Sequence, residues 1–160
     1  MLWGKTMAVT KRSQNTQKTL ETLNAILELE LAGVVRYTHY SLMVFGHARI
    51  PIVKWMRDQA SEGMAHAVQA GEYITALGGH PSLKIGKLLE TERHDIDQIL
   101  REALEHEQEA VDQYYRLLRL VRDKNVMLEE YARAMIQEEE THLAEIEKML
   151  RRSGKLDPVR

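Results

Sequence analysis

The chain has 160 residues, of which 44% are hydrophobic and 29% charged; its formal net charge is −2, and it contains no cysteine. That length suits one domain with one sizeable core, and the balance of apolar and charged residues excludes a disordered chain and a membrane-embedded one. A nearly neutral charge gives no pull on nucleic acid or anionic membranes. The lack of thiols removes disulfides, thiolate zinc sites and iron–sulfur clusters, in keeping with a reducing cytoplasm.

The N-terminal stretch MLWGKTMAVTKR has no long apolar run, so no signal peptide or membrane anchor is expected. Residues 1–15 read as a flexible polar arm. Asn15 or Thr16 is the expected N-cap of a first long helix, whose inward stripe is Leu20, Leu23, Leu27, Glu30, Val34, Tyr37, Ser41 and Val44. Gly46 and Pro51 break it. Pro51 suits the first turn of a second helix, which runs to Leu77 with Ile52, Met56, Ala60, Gly63, Ala67, Ala70 and Ile74 inward and His66 and Tyr73 on the flank. Gly78-Gly79-His80-Pro81 ends that helix.

A longer connection follows, with Ile85, Leu88 and Leu89 and room for a short helical turn. Thr91 is the expected cap of a third helix over residues 92–122, with Ile96, Leu100, Ala103, Glu107, Val111, Tyr114, Leu118 and Val121 as its stripe. Residues 123–125 form a turn, and a fourth helix spans 126–152. Gly154 and Pro158 close a tail over 153–160. The three expected segments are thus the arm 1–15, the helical domain 16–152 and the tail 153–160. Val and Ile recur at helical rather than alternating spacing, so the fold class is all-α. Helices of roughly 27 to 31 residues are each about 40 Å long. Short turns inside each half and one long crossover between helices two and three give a ferritin-like four-helix bundle.

The two halves echo each other. Glu30 is followed seven residues later by Tyr37, and Glu107 seven residues later by Tyr114; His66 lies 36 residues after Glu30, and His142 lies 35 after Glu107. In the run MIQEEETHL, Glu139 and His142 stand three residues apart within the apolar stripe Leu128, Ala132, Met135, Ile146, Met149 and so project to one side. A buried carboxylate is costly unless it is paired or holds a metal. Glu-x-x-His on an inward helical face is the ligand unit of carboxylate-bridged dimetal bundles. The repeat places a counterpart of Glu139 at position 63, where Gly63 stands instead. Glu62, one turn before His66, lies on a polar edge with Gln59, Gln69 and Tyr73 and is the nearest acid able to reach a metal there. His39, His47, His80, His94 and His106 have no inward ligand set, and most are expected at the surface.

Residues 20–150 resemble bacterioferritin, within the ferritin-like di-iron proteins, through LELELAGVVRY, SEGMAHA, LEHEQEAVDQYY and IQEEETHLAEIE. The resemblance implies a dimetal site in which Glu30 and Glu107 are terminal carboxylates, Glu139 is a bridging carboxylate, and His66 and His142 are imidazole ligands; the second bridge falls on Gly63. Tyr37 matches a tyrosine beside the family's site. Met64 matches a methionine that ligates haem b across a two-fold dimer interface. The tail is shorter and more polar than the fifth helix that usually lines an axis of the family's shell. A homodimer is therefore expected, and the formation of a complete shell is left open.

Carboxylate and imidazole donors without thiolate suit iron, and manganese as the lesser alternative. The implied function is iron binding with ferroxidase activity in iron storage and homeostasis, with dioxygen or peroxide as oxidant and Tyr37 or Tyr114 hydrogen-bonding a ligand or giving an electron. The alternative is a catalytically weak, haem-carrying or structural subunit, paired with a ferritin-like paralogue in a mixed assembly.

Overall fold

The computed structural model describes residues 3–89 and 91–156, with side chains from residue 14 onward. Four helices make up the described chain: α1 (Trp3–Met43), α2 (Arg49–Ala76), α3 (Ile96–Val121) and α4 (Val126–Leu150). There is no strand among the described residues. Among the described residues no helix is long and apolar enough to cross a membrane. α1 pairs with α2, α3 pairs with α4, and α1 packs on α3 to join the two hairpins.

Three boundaries differ from the sequence reading. α1 begins at Trp3 rather than at an N-cap at Asn15 or Thr16. No proline interrupts residues 3–16, and extending a helix that is already nucleated needs only one residue to be fixed per bond gained. Asn15 instead donates its side-chain amide to the Leu120 carbonyl at 3.3 Å. α3 is capped by Asp95, whose carboxylate accepts from the Gln98 amide at 2.9 Å. Thr91 is drawn away from a capping role because its hydroxyl donates to Glu102 at 2.6 Å. The crossover contains no helical turn among its described residues. Other punctuation agrees with the sequence: Gly78 takes a φ of +77° at the end of α2, and the Asn125 side chain caps α4 by accepting from the Leu128 amide at 3.1 Å.

The crossover lies along α1. Ser82 N donates to Asn24 Oδ1 at 2.7 Å, Gly86 N donates to the Glu28 carbonyl at 2.7 Å, and the His94 ring reaches within 6.0 Å of His39. At Gly86 a Cβ would stand 2.8 Å from that carbonyl oxygen and 3.2 Å from Leu29 Cα, so this approach is open to glycine alone. The strap carries the chain back along the length of the bundle, and α3 therefore starts at the end where α1 finishes and runs in the same direction as α2.

The interior is apolar at both ends and polar in the middle. One cluster gathers Leu23, Ile26, Ala70, Ile74, Leu117 and Leu128; the other gathers Tyr40, Val44, Met56, Ile99, Leu100 and Ile146. Each fully buried aliphatic chain contributes about 1.5–3 kcal/mol. Between these clusters lie Glu30, His66, Glu107 and Glu139, all no more than 7% exposed and supplied one from each helix.

Candidate metal centre

Each acid reaches this layer because it occupies a stripe position on an otherwise apolar helical face, so the packing that buries its neighbours buries it too. Glu139 is central. Its Oε1 lies 3.2 Å from His66 Nδ1 and its Oε2 lies 3.3 Å from His142 Nδ1. Glu30 Oε2 approaches the same His66 nitrogen at 3.6 Å. Two groups of donors able to hold a cation result, Glu30–His66–Glu139 and Glu107–Glu139–His142, and they share Glu139. The repeat read from the sequence is thus a spatial one, with one triad from each half and a common carboxylate between them.

The tyrosines of the repeat cross between halves. Tyr37 of α1 donates to Glu107 Oε1 of α3, and Tyr114 of α3 donates to Glu30 Oε1 of α1 at 2.8 Å. Each phenol occupies one oxygen of an acid and fixes its orientation, leaving the other oxygen for the layer's centre.

Gly63 is buried and lines the small cavity at this centre with Glu30, Glu107, Glu139 and the partly exposed Gln59 and Glu62. Glu62 is the most exposed acid of this cavity, its side chain 36% exposed. Its carboxylate accepts from Gln59 at 3.1 Å and lies 3.5 Å from His142 Nε2, the nitrogen facing away from Glu139. With Glu138 and His142 it forms a third, more exposed donor group at the rim. Glu138 was not singled out by sequence, yet its Oε1 lies 3.5 Å from His66 Nε2. Both imidazoles therefore face an inner acid with one nitrogen and an outer acid with the other. Met64, one residue from Gly63 and so rotated about 100° from it, is 45% exposed on the outside of α2 with Val68 one turn away.

His106 corrects the expectation of a surface histidine: it is 5% exposed and lines the same cavity. Its ring fits because Gly33 faces it, where a Cβ would stand 2.7 Å from Nε2. Arg36 Nη1 donates to His106 Nδ1 at 3.1 Å, Nη2 donates to the Glu102 carbonyl at 2.9 Å, and both Nε and Nη2 contact the Tyr40 hydroxyl. Tyr40 in turn donates to Glu102 Oε2 at 2.9 Å. Sequence reasoning missed this buried network. Its only local signals are the four-residue spacings of Arg36 to Tyr40 and Glu102 to His106.

Without a cation, protons offset the charge of the layer. Burial raises the Glu30 pKa, against the pull of His66. Burial and then the Glu139 charge push Glu107 well above the usual carboxylate range. Burial acts to raise Glu139 too, but hydrogen bonds from His142, His66 and Glu107 hold it down at about 2. Burial acts to lower His66, but Glu139 and Glu30 lift it to about 11. His142 is raised by Glu139 against the same burial effect. His106 is pushed down to about 4 by burial and by Arg36, and stays neutral. An acid held low between two imidazoles whose pKa values are raised is the pattern expected where positive charge is needed. Oxygen and nitrogen donors in this ratio suit iron or manganese over softer metals.

Residues 20–155 match the sequence model of the family described as Ferritin, ferritin-like domain. A ferritin-like, diiron-carboxylate protein from Bacillus anthracis superimposes with a TM-score of 0.81 at 25% identity, over 86% of this chain and 98% of that one. The bacterioferritin of Desulfovibrio desulfuricans, a protein with a diiron site, gives 0.74 at 26% identity, over 87% and 81%. A dodecameric thioferritin from Bacteroides fragilis gives 0.77 at 21% identity over 84% and 85%, which is a likeness of fold. No curated protein matches the sequence.

Proposed function

The chain belongs to the ferritin-like domain family, and from that footing we propose that it binds ferrous iron in its mid-bundle layer and oxidises it, in iron storage or homeostasis. The observation that carries this reading is the pair of buried donor triads sharing Glu139. Iron is the substrate here. Each ferrous ion gives up one electron, so two ions reduce dioxygen to hydrogen peroxide with uptake of two protons, or peroxide to water.

The residues have separable roles in this scheme. Glu139 touches both imidazoles and would bridge two ions; Glu30 and His66 would complete one position, and Glu107 and His142 the other. Tyr37 and Tyr114 hold the terminal acids in place through their hydrogen bonds. Glu138 and Glu62 hold the far nitrogens of the imidazoles and offer a more exposed stop at the rim. Carboxylate–imidazole pairs of this kind orient a ligand and raise its basicity. Protons compete with cations for these carboxylate and imidazole donors, so uptake falls as pH falls. The apolar clusters above and below restrict water at the layer.

Aerobic titration with ferrous iron tests the reading. Oxidation should be saturable and faster than in buffer, and Glu139→Ala should abolish the excess. A rate equal to that of buffer would overturn it.

Met64 favours a second reading, a haem-carrying dimer. Its thioether is half-exposed on the outer face of α2 beside Val68 rather than packed in the core, and a soft sulfur on a surface that pairs with its own copy can ligate haem iron. Protein purified with haem should show a Soret band that shifts or vanishes in Met64→Leu; an unaltered band rejects this ligand.

A further inference from the structure

The donor layer is asymmetric, and the asymmetry is confined to α2. On α4, the residue three before His142 is Glu139, the acid that faces both imidazoles. On α2, the residue three before His66 is Gly63, on the corresponding inward face and buried. Gly63 lines the small cavity at the centre of the layer. The nearest atoms to a Cβ built on Gly63 are the Glu30 carbonyl oxygen at 3.5 Å, Glu30 Oε2 at 3.6 Å and Val34 Cγ2 at 3.6 Å, all ordinary contacts. The backbone does not require glycine either, since it is helical throughout this stretch. In a helix interior glycine is less favourable than alanine. Glu62, the residue next to Gly63 in the chain, is engaged with Gln59 and the outer nitrogen of His142.

Charge gives the gap a sign. With two divalent cations in the layer, the inner carboxylates of Glu30, Glu107 and Glu139 leave one positive charge uncompensated in a poorly solvated interior. Glu62 and Glu138 lie at the more exposed rim, where solvent screens them. A single small anion in the gap would bring the layer to neutrality.

We propose that Gly63 keeps one face of the layer open to an exogenous small monocarboxylate or carbonate-like oxyanion, which completes the metal-loaded centre where the α4 half uses Glu139. This rests on the metal-binding reading above. The site would take ligands with two oxygens on one carbon and little else, because α1 closes the space at Glu30 and Val34.

Cobalt(II), whose visible bands respond to its ligands, allows the test without turnover. Cobalt-loaded protein is titrated with sodium formate, and metal content is measured alongside. The wild-type spectrum should change saturably. Gly63→Ala, whose methyl fits the contacts given but occupies the gap, should weaken formate binding about tenfold or more with cobalt content unchanged. Gly63→Glu should load cobalt at least as tightly and give no response, because its own carboxylate fills the gap. A loaded wild type with no saturable response overturns the proposal. So does an equal response in Gly63→Glu, or a response that appears only in Glu62→Gln, which would make Glu62 the occupant. A wild type that takes up no cobalt and no ferrous iron would sink the metal-binding reading itself, and this proposal with it.

Discussion

Glu139→Gln is expected to remove both cation positions at once, whereas Glu30→Gln and Glu107→Gln should each remove one. The expectation follows from sharing: Glu139 belongs to both inner triads, and each of the other acids to one. Glutamine keeps the shape and some hydrogen bonding but not the charge, so the loss reads the carboxylate rather than the packing. Replacing groups that merely orient a ligand costs about 10–100-fold in metal affinity, and a direct donor should cost at least the upper figure. Metal per chain, measured after anaerobic equilibration with ferrous iron or manganese(II), checks this. Retention of one full equivalent by Glu139→Gln with Glu62→Gln added, which disables the rim group, would show that the triads do not depend on a common acid.

Arg36→Met is expected to be the most damaging change to the fold outside that layer, at about 3–5 kcal/mol. Arg36 is 8% exposed, and its guanidinium serves His106, Tyr40 and the Glu102 carbonyl together. Methionine matches its stem and leaves those three groups without their donor at a buried site. Chemical denaturation of the metal-free protein measures the loss. A pH series on Glu102→Gln isolates the carboxylate's part. Burial acts to raise the Glu102 pKa, but Thr91, Gln98 and Tyr40 hold it below the ordinary value. A depressed folded pKa contributes stability above the unfolded value, and that contribution is lost as pH falls through the folded one. Wild type should therefore exceed Glu102→Gln by about 1.5–3 kcal/mol near neutrality, the usual worth of hydrogen bonds to a charged group. The two should converge under acid. A gap that persists in acid would assign the effect to packing.

What the sequence made legible was whatever repeats locally. Glu30, Glu107, Glu139, His66 and His142 stand out because each polar residue interrupts or flanks an apolar period and has a partner at matched spacing in the other half. Helix count, the two short turns and the crossover followed from glycine, proline and helical periodicity. The missed features are those that depend on which surface a helix meets. Arg36 pairs with α3 across a helix–helix contact, so nothing beside it in the chain announces burial. Glu138 looked like one acid in a solvated run, yet α4 is turned so that it reaches His66 on α2. His106 is interior only because Gly33 on another helix leaves it space. Thr91 and Asp95 are both plausible caps locally, and a tertiary partner, Glu102, decides between them.

The strap over α1 bears on how firmly the donor layer can hold a shape. Gly86 fastens to the Glu28 carbonyl, one turn of helix or less from Glu30. α1 cannot slide along its axis there without breaking that bond or forcing the strap into its backbone. The ruler that sets the depth of Glu30 thus lies outside the bundle, in a segment with no regular structure of its own. Changes in the connecting segment would be felt as a misalignment of acids that it never touches.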